Sequence, residues 1–135
     1  MIAAGRGLVP PDTPITRSDF LEIASVPIDL AEARYTEPFK RDCAALAECV
    51  GEDSHIVLLG SIATPKYVRP LLRVFGDRLL FPADFLGRGD MSRGGLMLRC
   101  ARSGEELRYV PASTAARHGS RPPRLPKLAP LPDGE

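Results

Sequence analysis

The chain has 135 residues, 18 Lys and Arg against 17 Asp and Glu, and a formal net charge of +1. That balance gives no global attraction for nucleic acid or for an acidic surface, so any such attraction must come from a local patch. No apolar run approaches the roughly 18 residues a spanning helix needs, and the start MIAAGRGLVPPDTP has no signal-peptide apolar core, which reads as a cytoplasmic protein with no membrane partner.

Apolar and charged fractions of 44% and 26% are those of an ordinary soluble domain, whereas the 14 prolines are gathered toward the two ends. One domain is expected, over residues 19–112, between an extended N-terminal arm (1–18) and a Pro/Arg-rich disordered tail (113–135). Cys43, Cys49 and Cys100 form no CxxC pair and are read as free thiols. His55 and His118 are too far apart in sequence to make a metal-ligand spacing, so no metal is expected.

In chain order, the first expected element is a strand near residues 21–26, within DFLEIASVP. A helix follows from Thr36, an N-cap before Glu37 and Pro38. Phe39, Cys43, Leu46, Ala47 and Val50 make its apolar face, and Gly51 stops it. The uninterrupted run Ile56-Val57-Leu58-Leu59 predicts a strand covered on both faces. Thr64-Pro65 opens a second helix with Tyr67, Val68, Leu71, Leu72 and Phe75 on one face, Pro70 as an irregularity and Gly76 as its end. RLLFP, residues 78–82, predicts a third strand. Alternation in LMLRCA (96–101) and the later ELRYV (106–110) predicts an antiparallel hairpin. Together these give an α/β three-layer sandwich, a mainly parallel β-α-β-α-β sheet closed by a C-terminal hairpin.

Two loops are candidates for chemistry, because ligands favour the carboxyl ends of parallel strands. In GSIATPK, Ser61 and Thr64 offer hydroxyls, the helix start offers free N–H groups, and Lys66 adds charge. The alternative is a plain helix cap. In residues 87–95, four glycines alternate with Arg88, Asp90, Ser92 and Arg93. Backbone N–H groups around Gly89 and Gly94 can form an anion nest, and the two arginines can grip phosphate or carboxylate. Asp90 is the candidate acid/base group, a metal ligand, or the ion-pair partner of an arginine. The alternative here is a flexible connector. Asp84 is a second carboxylate at a predicted strand end, and Tyr35 an aromatic that either faces the same edge or is half-buried.

No GxxxxGK[ST] or GxGxxG spacing is present, so the known phosphate fingerprints fail and the cofactor is left unknown. A Ser–His–Asp triad would need His55, which the strand order puts at the opposite end. The tail carries Arg117, His118, Arg121, Arg124 and Lys127 but no aromatic for base stacking, so it reads as solubilising, with nucleic-acid contact left open. The stretch IVLLGSIATPKYVRPLLRVFGDRLLFPADFLGRGDMSRGGLMLR (56–99) resembles uncharacterised bacterial proteins, and that resemblance implies no activity. The expected function is binding of an anionic small molecule such as a nucleotide or sugar phosphate, with turnover left open. The alternative is a non-catalytic protein- or RNA-interaction module, with a homodimer left open.

Overall fold

The computed structural model describes residues 1–116 and 118–130. The chain opens with an antiparallel hairpin, β1 (Ile2–Ala3) and β2 (Gly7–Leu8), in place of an extended arm. Gly7 has φ +75°, and a Cβ there would stand 2.2 Å from Asp42 Oδ2 and 2.6 Å from the Pro38 carbonyl oxygen. Only glycine lets the hairpin lie so close to a helix. The Leu8 amide then donates to Asp42 Oδ2 at 2.9 Å.

The strand expected at 21–26 is instead helix α1 (Arg17–Ser25). Thr16 Oγ1 accepts from the Asp19 amide at 3.1 Å, and Asp19 Oδ2 accepts from the Thr16 amide at 2.7 Å. This capping box outweighs the strand propensity of a short apolar run. Hydrogen bonds from the Thr16 amide and from Arg6, which reaches over from the hairpin turn, pull the Asp19 carboxyl down to about 2.

Helix α2 (Ala33–Cys49) begins a turn before the expected cap. Glu32 accepts from the Arg34 amide at 3.3 Å, while Thr36 is buried within the helix and donates to the Glu32 carbonyl at 3.2 Å. The apolar face is the expected one: Phe39 and Cys43 are fully buried, with Leu46, Ala47 and Val50 packed at the margin. Burying a side chain such as Phe39 contributes roughly 1.5–3 kcal/mol. Burial also pushes the Cys43 thiol up to about 11, which leaves it a packing group rather than a nucleophile.

Strand β3 (Ile56–Val57), helix α3 (Pro65–Phe75) and strand β4 (Leu79–Pro82) form a crossover unit with β3 and β4 parallel, Ile56 beside Leu79 and Val57 beside Leu80. Thr64 caps α3, and Val68, Leu71 and Phe75 face the core. Pro70 lies inside α3 and has no N–H for the carbonyl four residues back, that of Lys66. Tyr35 fills the gap: its hydroxyl donates to the Lys66 carbonyl at 2.6 Å. The Tyr35 ring is buried, so the phenol is pushed up to about 12 and stays a donor.

The expected C-terminal hairpin is not formed. Residues 96–101 lie inside helix α4 (Asp90–Ser103), which ends at Gly104 in the left-handed region with φ +74°. Leu96 and Met97 pack against the core while Leu98 is exposed, a helical division rather than an alternating one. Strand β5 (Tyr109–Pro111) pairs antiparallel with β4, so the sheet order is β3-β4-β5. The three-layer sandwich with a mainly parallel sheet is therefore corrected. The described residues hold four α-helices, a two-stranded antiparallel sheet and a three-stranded mixed sheet. The parallel relation survives only in the β3-α3-β4 unit.

Tyr35→Phe should cost about 1 kcal/mol in urea unfolding, the worth of one buried hydrogen bond. In a Pro70→Ala background the restored amide serves Lys66, and the cost of Tyr35→Phe should fall toward zero. Equal costs in the two backgrounds would reject this assignment.

Candidate functional site

Because β3 and β4 are parallel, the chain leaves both at one edge of the sheet, as residues 58–64 and residues 83–89. After β4 a short 3-10 turn (Ala83–Phe85) buries Phe85 and delivers residues 87–89 to the start of α4. The two loops meet. Gly60, Ser61, Arg88, Gly89 and Arg93 line one cavity of about 270 Å³, together with His118 and Gly119 from the C-terminal segment.

The guanidiniums are anchored by the loop's own backbone. Arg88 donates from Nε to the Asp84 carbonyl at 2.8 Å and from Nη1 to Ser92 Oγ at 3.0 Å. Arg93 donates from Nη1 to the Arg88 carbonyl at 2.7 Å and pairs through Nη2 with Asp90 Oδ1. Of the roles open to Asp90, its geometry is that of an ion-pair partner three residues before Arg93, with a side chain 91% exposed. Gly89 is the N-cap of α4 and supplies no capping side chain, so the first-turn N–H groups have no side-chain acceptor.

Ser61 Oγ accepts from the Ala63 amide at 3.3 Å, and Thr64 Oγ1 from the Lys66 amide at 3.4 Å. Thr64 does not line the small cavity. It lines an adjoining groove of about 790 Å³ that shares Gly60, Ser61 and Arg93 with the cavity and is walled by Ile2, Leu46, Ile56 and Leu71. Lys66 is exposed and lines neither space, because its helix position turns it away from the loops. Gly94 sits in the helix with open space where a Cβ would stand. Tyr35 is a core residue, and Asp84 is exposed with only its carbonyl in the loop network.

Sequence reasoning placed His118 in a solubilising tail and did not reach Gly119, since nothing periodic marks the segment that carries them. The usable signal was Gly87. It has φ +71°, and a Cβ there would stand 2.3 Å from the Ser120 carbonyl oxygen; a Cβ on Gly119 would stand 2.8 Å from Leu86 Cγ. The C-terminal segment thus crosses the glycine loop at backbone contact. Arg117 and residues 131–135 of the expected tail lie outside the described residues.

Among the described residues no group of three His, Cys, Asp or Glu side chains that could hold a metal ion comes together, and no helix is long and apolar enough to cross a membrane. Comparison with known proteins finds no match, whether among family models, curated proteins or solved structures.

Two glycines of the loop should respond with opposite sign. Gly87→Ala should destabilise by about 1 kcal/mol or more, from strain at positive φ and the clash with Ser120, and should speed tryptic cleavage after Arg124 and Lys127. Gly94→Ala should stabilise by about 0.5–1 kcal/mol through helix propensity alone. Urea titrations with a timed digest of each variant measure both.

Proposed function

We propose that this protein binds a small phosphate-bearing molecule in the cavity between residues 60–63 and 87–93. The observation that carries the reading is the lining: Ser61, Arg88, Arg93 and His118 line the cavity, and among the described residues no Asp or Glu does. Such a wall favours an acceptor-rich anion.

Arg88 is the principal charge. A guanidinium has five N–H donors, and two of those on Arg88 are engaged with neutral oxygens. Its charge therefore remains available, whereas that of Arg93 is offset by Asp90. The volume of about 270 Å³ lies at the small end of ligand pockets, which suits a phosphoryl group with a small sugar better than a dinucleotide. The reading is one of binding rather than turnover: of the two candidate carboxylates, Asp90 is held by Arg93 and Asp84 is exposed, and neither lines the cavity.

The test is a thermal-shift and calorimetric screen with inorganic phosphate, pentose and hexose phosphates and nucleoside monophosphates. A ligand at a hundred times its Kd should stabilise by about 2.7 kcal/mol. Arg88→Gln should weaken binding by roughly tenfold or more, as expected for loss of a charge-assisted hydrogen bond, with the far-UV spectrum unchanged. Absence of any phosphate-dependent shift at millimolar concentration, or a shift indifferent to Arg88→Gln, would reject the proposal.

A further inference from the structure

On the other side of the α4 start lies a second concave surface, a groove of about 580 Å³ between that helix and residues 121–125. Arg88, Arg99, Arg121 and Arg124 line it. Among the described residues the one acid in its wall is Asp90, which already pairs with Arg93. Among the described residues none of the four guanidiniums is in an ion pair. Arg99 donates from Nη2 to the Pro126 carbonyl, yet its Nε is buried without an acceptor.

In a chain of net charge +1 this is a pronounced local concentration of one sign. The fold holds four like charges around a single groove, and their mutual repulsion is relieved by an anion that spans several of them. Pro122 and Pro123 have fixed φ and no N–H, and the residue before a proline is held extended. Arg121 and Arg124 are thus presented from a stiff segment opposite Arg99.

We infer that this groove takes a single-stranded phosphodiester chain. Four guanidiniums and the uncapped N–H groups at the start of α4 line the groove, with Met91, Pro122, Pro123 and Leu125 between them. An extended acidic peptide would bring backbone N–H groups that need acceptors, and the side-chain acceptors among the described lining residues, Asp90 and Ser92, are already engaged by Arg93 and Arg88. A phosphodiester backbone is acceptor-rich along its length, and planar guanidiniums match its geometry. No aromatic side chain lines the groove, so bases are not stacked and recognition is independent of sequence. This surface is separate from the small cavity apart from Arg88 and Gly89, which line both.

The test is fluorescence anisotropy of the full chain with labelled 12-mers of oligo-dT, oligo-dA and oligo-U between 25 and 200 mM salt. Four phosphate contacts predict a slope of log K against log salt of about −3 for single strands, with affinities alike across the three sequences. Arg121→Gln with Arg124→Gln should roughly halve that slope, and Arg99→Gln should lower it by about a quarter. The double variant should leave any phosphate-induced thermal shift at the small cavity unchanged, so the two sites fail separately. No binding at 25 mM salt, a slope untouched by the double variant, or equal displacement by poly-glutamate of the same charge would overturn the inference.

Discussion

The packing of α2 on α3 is the constraint around which the core is built, and the hydrogen bond from Tyr35 to the Lys66 carbonyl is its polar tie. Pro70 removes the donor that α3 would otherwise supply to that carbonyl, and a buried phenol from α2 replaces it. The same contact fixes the N-terminal end of α3 against α2. That end carries Thr64 and, just before it, Ser61. A loop leaving a two-residue strand has little ladder of its own to hold it. Its position is set by the burial of Leu58 and Ile62, by the Leu58 amide donating to the Leu80 carbonyl, and by the packing of α2 on α3 with this polar tie.

A second constraint fixes the facing wall. Each arginine at the α4 start donates to a loop carbonyl, Arg88 to that of Asp84 and Arg93 to that of Arg88. On the proposed reading these bonds lower the side-chain entropy that binding an anion would cost. Local contacts also separate the electrostatic roles of the two arginines. Arg93 is neutralised locally, while Arg88 keeps an unpaired charge at the junction between the small cavity and the arginine groove. The close crossing of residues 119–120 over Gly87 brings the C-terminal segment to both spaces.

Much of the central fold was legible in the sequence because its signals were local. The face of α2, the Thr64-Pro65 start and Gly76 stop of α3, and the β4 strand each follow from a cap or a period. The helix α4 was not legible, because Gly94 and Gly95 argue against a helix interior and Leu96, Leu98 and Cys100 mimic a strand. Packing of Leu96 and Met97 on the core decided otherwise. The docking of the N-terminal hairpin depends on the close approach of Gly7 to Asp42, 35 positions away, which no local pattern encodes. At the candidate site, the parallel β3–β4 relation leaves both following loops at one edge, and Ser61, Arg88 and Arg93 line one cavity there. Thr64 and Lys66 fall outside the cavity because Thr64 is the cap of α3 and each further residue of the helix turns the side-chain direction by roughly 100°. His118 arrives through a tertiary crossing that the sequence does not announce.

The central claim is that residues 60–63 and 87–93 act as one anion site. A titration of the uniformly 15N-labelled chain with inorganic phosphate tests it most directly. The account predicts that the amides of Ser61 to Ala63 and those of Gly87 to Arg93 shift together, along a single saturating curve. Shifts confined to one loop, or unsaturating shifts spread over the basic surface, would contradict it.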